Sequence, residues 1–429
     1  MTFAYGIRPF SFSLKDKRKT YFSFVFRLLF RNFADRTKKC CMISNTMALR
    51  NNALKQEFCN VPDSAIESLS KRNWDFVEAK ASLFSSIHPY PAKFINEIPA
   101  TLIEHLYKSQ QGCIFDPFCG SGVTLEEAQK RGYASVGVDL NPIACLISRV
   151  RTRSLDTSFM DTCKSIVAAC KNADYTATIP DMPNINHWFN PNIQQALALL
   201  KEKIEQYWEL PCYDALNFCF SSIIVKVSNQ DSDTRYAFRD KGKTATDVYT
   251  YFIHSAKKLC KVRNVPVRAM ANVINKNALK LTPEDIPGKI GLVITSPPYP
   301  NAYEYWLYHK YRMFWLGYNP IKVKNEEIGT RSQYFKKSKY EGYDFAIQIN
   351  ELLKTLYPMC TNGAYLCFVI GRSKIHGQIY NNDELIAEIG KNLGYQHITT
   401  ITREINSKRK SFNLSHARIK EEYIVILRK

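Results

Sequence analysis

The stretch from Gly112 to Asp139 limits the fold more than any other part of the chain. Gly112-Cys-Ile-Phe-Asp116 reads as a short strand, and Pro117-Phe-Cys-Gly-Ser-Gly122 as a tight glycine turn. Val123–Arg131 reads as a helix whose Leu125 and Ala128 face inward. Ala134-Ser-Val-Gly-Val138 is a second strand, ending at Asp139. Strand, crossover helix and strand make a β-α-β unit, so the chain is expected to be α/β with a mostly parallel sheet. Gly120 and Gly122 let the backbone approach a ligand closely, and the helix amino terminus can accept a carboxylate. Asp139 stands at a strand's carboxyl end, placed to hold ribose hydroxyls. A nicotinamide-binding fingerprint would need a glycine at Leu125, which this chain lacks.

A second stretch carries the chemistry. Lys289–Ile294 is an apolar, β-branched run that reads as a buried parallel strand. Thr295-Ser296-Pro297-Pro298-Tyr299 follows it. Two prolines lack the backbone donors to continue a strand, and each pushes its predecessor into an extended conformation. The result is a stiff turn at a strand's carboxyl end, where open α/β sheets bind ligands. Its carbonyls and the Ser296 hydroxyl form an acceptor cluster, and Tyr299 offers a flat face. Such a site suits a planar base with an exocyclic amino group.

Thr295–Tyr299 resembles the catalytic (S/D/N)PPY motif of amino-methylating DNA methyltransferases, in the Ser-Pro-Pro-Tyr form frequent among cytosine-N4 enzymes. Asp116-Pro-Phe-Cys-Gly-Ser-Gly122 resembles the S-adenosylmethionine motif of class I methyltransferases. The resemblance implies a seven-stranded class I sheet with helices on both faces and an antiparallel last pair. It implies S-adenosyl-L-methionine as cofactor, with Asp116, Phe118, Gly120 and Gly122 at the methionine part and Asp139 at the ribose. Adenine contacts fall at Asn277-Ala-Leu-Lys280. Ser85–Phe94 resembles the cofactor-side motif that precedes the glycine loop in many of these enzymes. On that likeness His88 and Lys93 line the cofactor pocket; the other reading makes them surface polars. Ser296 and the turn carbonyls of Pro297 and Pro298 would accept hydrogen bonds from the amino group of a flipped base, with Tyr299 stacking on it. No metal is required.

The order cofactor loop, insertion, catalytic loop resembles the group with a target-recognition region between the two motifs. The expected organisation is a cofactor-binding half at 47–151, an inserted, mainly helical recognition region at 152–269 and a catalytic half at 270–429. Within the insertion, 228–243 is polar, cationic and aromatic, without a face to bury. Asn229, Gln230 and Arg235 are residue types that read base edges, and Arg239, Lys241 and Lys243 are types that hold phosphates. A solvated loop is the plainer reading of each. Arg331 lies in a long basic and aromatic stretch, 322–342, of the kind that forms lids.

Charge agrees with a polyanionic partner: the chain has 59 Lys and Arg against 39 Asp and Glu, a formal net charge of +20. The resemblance makes that partner double-stranded DNA and admits a cognate restriction endonuclease. Thirteen cysteines are scattered without a zinc spacing, which argues for reduced thiols in a cytoplasm. No stretch is long enough to span a bilayer, so no membrane is expected. Residues 1–46 are basic and read as a poorly ordered extension, with Met42 or Met47 as the real start; a transit-like or membrane-surface segment is the other reading. Adenine-N6 methylation shares the geometry, and an RNA amino-methyltransferase or a catalytically silent nucleic-acid-binding protein stay open as alternatives.

Overall fold

The computed structural model describes residues 63–79, 82–91, 94–107, 112–233, 235–263, 267–300, 304–334, 342–405 and 421–429. The basic extension 1–46 lies outside them.

Five strands run parallel: β1 (Cys113–Asp116), β2 (Ser135–Asp139), β3 (Ala271–Asn275), β4 (Ile290–Thr295) and β5 (Cys360–Gly371). A hairpin, β6 (Ser373–Ile375) and β7 (Gln378–Tyr380), stands apart from the main sheet. The main sheet ends with β8 (Gln396–Glu404) and β9 (Glu421–Arg428). Strand order is β3-β2-β1-β4-β5-β9-β8, with β9 antiparallel to both neighbours. This is the class I methyltransferase architecture that the sequence led us to expect. β1 and β4 are buried along their whole length, which explains their continuous apolar runs.

Two apolar clusters sandwich the centre of the sheet. One holds Ile114, Leu292 and Ile294 against the Glu97–Leu106 helix. The other holds Phe115, Val293 and Phe368 against the Gly342–Leu356 helix. A third cluster joins the Pro142–Thr152 helix to the insertion. The insertion supplies the helices Phe159–Lys171, Pro191–Glu205, Tyr213–Val227 and Ala245–Arg263. The Tyr305–Trp315 helix shares that core through Tyr311, Met313 and Trp315. The insertion is therefore packed on both halves of the core through one apolar interior.

Residues 73–79 are irregular, and Trp74 turns inward there to donate its indole N–H to the Leu69 carbonyl at 2.8 Å. One local expectation differs from the structure. The stretch 322–342 is not one long loop, since Pro320–Glu326 is helical and Arg331–Tyr334 is a 3-10 turn. Asn319 starts that helix by accepting the Ile321 and Lys322 amides, with Pro320 behind it.

Candidate active site

The strand order reverses between β1 and β4, so their carboxyl ends open side by side into a crevice. The two sequence stretches meet there. Thr295 Oγ1 donates to Asp116 Oδ1 at 2.7 Å, and the Phe118 amide donates to the same oxygen at 3.1 Å. Both side chains are buried. Burial pushes the Asp116 carboxyl up to about 6, against these two hydrogen bonds.

The glycine turn wraps the end of β2. Asp139 accepts the Gly120 amide at 2.9 Å and the Asn141 amide at 2.8 Å. Burial again raises its carboxyl to about 6, and the charge of Asp116 adds to the rise. Gly120 has φ +49° and Gly122 φ +79°, a region costly for residues with a Cβ. A Cβ on Gly122 would meet Ser148 at 2.8 Å, and Ser148 Oγ fixes the turn by donating to the Gly120 carbonyl at 2.8 Å. A Cβ on Gly120 would come within 3.1 Å of the Tyr90 ring. Phe118 is half-buried, packed on the apolar cluster that includes Phe115.

Tyr90 roofs the turn. It stacks on Tyr305 with ring centres 6.0 Å apart and on His309 at 5.4 Å. His88 sits behind it, buried, with Nε2 2.9 Å from Ser221 Oγ and Nδ1 3.0 Å from the Pro89 carbonyl. Burial and the nearby Arg312 hold its imidazole well below the usual range. His88 thus ties the upstream loop to the insertion and turns neither ring nitrogen to the crevice. Lys93 lies outside the described residues.

In the proline turn, Ser296 and Pro298 are half-buried and Pro297 is buried. Tyr299 is half-buried on the apolar cluster that holds Phe368. Its hydroxyl donates to Glu422 Oε1 at 3.0 Å, and Glu422 also receives Arg403 at 3.0 Å. Burial, then the Glu422 charge, pushes the phenol well above its usual value, and a hydrogen bond with Ser296 opposes the rise. Glu327 lies on the same side: burial raises its carboxyl to about 8, with the amides of Trp306 and Tyr305 opposing and the charge of Asp139 adding to the rise. Asn277 caps a 3-10 turn just past β3 by accepting the Leu279 amide at 2.9 Å.

The loop 228–243 is ordered from within. The Arg239 amide donates to the Asn229 carbonyl at 2.7 Å, and the Asp231 amide to the Ala237 carbonyl at 2.8 Å. Asn229 and Gln230 are 5% and 2% exposed. The Gln230 side chain donates to the Ser232 carbonyl at 2.6 Å, and that of Asn229 to Asn190 Oδ1 at 3.3 Å. Here the structure corrects the sequence reading: these two amides hold the loop and do not face solvent as base readers. Lys241 donates to the Val225 carbonyl at 2.8 Å and Lys243 to the Tyr251 hydroxyl at 2.7 Å. Arg235 and Arg239 remain exposed beside Asp231, at 3.8 and 3.4 Å. The side chain of Arg331 lies outside the described residues.

Composition alone did not single out Tyr90, Glu327, Glu422 or the exposed ring of Phe238, 51% accessible. Tyr90 was findable as the aromatic between two prolines; the others depend on contacts across the fold.

Residues 15–149 match a family model described as DNA methylase. The chain is 23% identical over 263 residues to a protein named Type II methyltransferase M.MvaI from Kocuria varians, covering 56% of this chain and 58% of that protein. It is 24% identical over 296 residues to Type II methyltransferase M.BsoBI from Geobacillus stearothermophilus, covering 60% of this chain and 58% of that one. The match thus spans less than two thirds of each relative. Among solved structures, the rRNA methyltransferase aviRa from Streptomyces viridochromogenes aligns over 83% of this chain and 94% of its own, with 11% identity and a TM-score of 0.33.

Proposed function

We propose that this chain is an S-adenosylmethionine-dependent DNA methyltransferase acting on an exocyclic amino nitrogen, cytosine N4 in preference to adenine N6. The observation that carries this reading is the 2.7 Å bond between Thr295 and Asp116, which locks the proline turn to the glycine turn at the sheet's switch point. The DNA methylase family match and the names of the two relatives support the same reading.

The residues present fit the cofactor. Gly120 and Gly122, at positive φ with no room for a Cβ against Tyr90 and Ser148, keep the turn's backbone bare for close approach. Asp116 and Asp139 are buried acids held by amides and a hydroxyl, an environment that favours a cationic ligand. Asp116, Phe118, Gly120 and Gly122 would hold the methionine part, Asp139 the ribose and Asn277 the adenine side. When bound, S-adenosylmethionine supplies an electrophilic methyl group on a sulfonium.

The chain's own residues prepare the nucleophile. An exocyclic amino nitrogen delocalises its lone pair into the ring. Ser296 and the carbonyls of Pro297 and Pro298 accept hydrogen bonds from its N–H groups, favour a pyramidal nitrogen and release the lone pair. The stiff turn fixes these acceptors before the base arrives, so little ordering remains to be done. The base must leave the duplex, at about a few kcal/mol. Stacking on Tyr299, worth roughly 1–3 kcal/mol, offsets much of that.

DNA is held by the insertion, through Arg235, Arg239, Lys241, Lys243 and the exposed ring of Phe238. Ser296 in place of Asp or Asn favours cytosine, and the same geometry accommodates adenine. The reading extends to a modification enzyme beside a cognate endonuclease in a cytoplasm. Among the described residues, no helix is long and apolar enough to cross a membrane. Mass spectrometry of nucleosides from duplex DNA incubated with the protein and labelled cofactor tests it. N4-methylcytosine is the expected product, N6-methyladenine would move the assignment to adenine, and unlabelled DNA of mixed sequence would overturn the activity.

A further inference from the structure

Glu327 has no task in the mechanism above, yet it lies in a segment that touches both halves of the site. It is 6% exposed and follows directly on the Pro320–Glu326 helix. Its Oε1 accepts the Tyr305 amide at 2.8 Å and its Oε2 the Trp306 amide at 3.2 Å. These amides begin the helix that leads out of the proline turn, so Glu327 fixes where that helix starts. One residue before it, Glu326 receives Lys280 at 2.8 Å and Asn277 at 3.4 Å, beside the end of β3. Two residues after it, Gly329 has φ +68°, and a Cβ there would lie 3.1 Å from the Pro298 carbonyl oxygen. Residues 326–329 form a strap from Asn277 to the catalytic turn.

The charge environment of Glu327 itself is one-sided. The groups facing Glu327 are Asp139 and Glu304, both acids, and Tyr90, whose phenol feels the charges of Asp139 and Glu327. The partners that Glu327 does have are backbone amides. A carboxylate taken from water beside like charges is costly, and a cation arriving there would relieve the cost.

We propose that Glu327 is a positioning residue that answers the positive charge of the bound cofactor and passes its arrival to the proline turn. The inference rests on the function proposed above. Burial lifts the carboxyl to about 8, so without a ligand it takes up a proton near neutral pH more readily than an ordinary carboxyl does. A sulfonium nearby favours the carboxylate. The carboxylate grips the two helix amides more strongly than the acid does. Cofactor binding thereby tightens the start of the helix that holds the proline turn in place.

Calorimetric titration of the full chain with S-adenosylmethionine and with S-adenosylhomocysteine, at pH 6.5 and 8.5, tests this. Both ligands share the α-ammonium and α-carboxylate, and only the first has the sulfonium. The ratio of their affinities should rise roughly five- to twentyfold with pH in the wild type. It should stay flat in Glu327→Gln, which keeps one acceptor for the helix amides. Asp116 and Asp139, at about 6, are mostly ionised over this range and add little. A flat ratio in the wild type overturns the inference without any variant, and so does an equal rise in Glu327→Gln. If both ligands bind and the ratio is flat, the proposed function survives; if neither binds, both fall.

Discussion

Tyr299 offers the sharpest separation of ring from hydroxyl. Tyr299→Phe keeps the flat face and removes the bond to Glu422 at 3.0 Å. A hydrogen bond to a charged group is worth about 1.5–3 kcal/mol. Glu422 retains Arg403 at 3.0 Å, so its carboxylate is not left bare and the loss should sit at the lower end. With the ring still packed on its apolar neighbours, we predict that Tyr299→Phe lowers methyl transfer about tenfold. Tyr299→Ala also loses the stack, roughly a further 1–3 kcal/mol, and should fall at least about fiftyfold. The assay is transfer of labelled methyl from S-adenosylmethionine to duplex DNA at saturating cofactor, with cofactor affinity measured separately and expected to hold in both variants. On substrates with a mispaired target base, the deficit of Tyr299→Ala should shrink, because extrusion then costs less. Equal loss in the two variants would refute the reasoning: the phenol oxygen would then take part in the chemistry, and the stacking role would go.

Asp139→Ala should weaken S-adenosylmethionine binding at least about tenfold by removing a charged acceptor, with circular dichroism unchanged. Arg235→Ala and Arg239→Ala should each lower the salt slope of DNA binding by about one, while Phe238→Ala should weaken binding with little change in slope. Asn229→Ala should instead lower thermal stability by roughly 1 kcal/mol, because its buried amide holds the loop; altered sequence preference at unchanged stability would restore it as a reader. The folded-state carboxyl of Glu327 is up at about 8 against an ordinary 4.5, so between those values the folded chain binds more protons than the unfolded one. Its contribution to stability therefore declines as pH rises through that window and levels off above it, and melting curves of Glu327→Gln should lack this part of the decline.

Much of the frame was legible because it is local. The glycine turn, the two strands around it and the proline turn each announce themselves within a few residues, and the positions of Asp116, Asp139 and Ser296 followed. The mainly helical character of 152–269 was legible for the same reason. What stayed hidden depends on distant pairing. Polar composition at 228–243 suggested exposure, but the backbone closes on itself and packs Asn229 against Asn190. Glu327 looked like one acid in a charged stretch until the fold set it on amides 21 and 22 residues earlier. Glu422 is 123 residues from the Tyr299 hydroxyl it receives, and no sequence window spans that distance.

The placement of β9 has a consequence for synthesis. It is made after every other strand of the main sheet, yet it inserts between β5 and β8 and brings Glu422 to Tyr299. The pairings among the parallel strands and the hydrogen bonds of the glycine turn involve no residue of β9; a nascent chain that ends at β8 already holds every residue they need. It still lacks the partner of Tyr299, and one side of β5 is an open edge. On the function proposed above, cofactor capture would then come before Tyr299 is anchored, and a chain still on the ribosome would hold its methyl donor with the proline turn not yet braced.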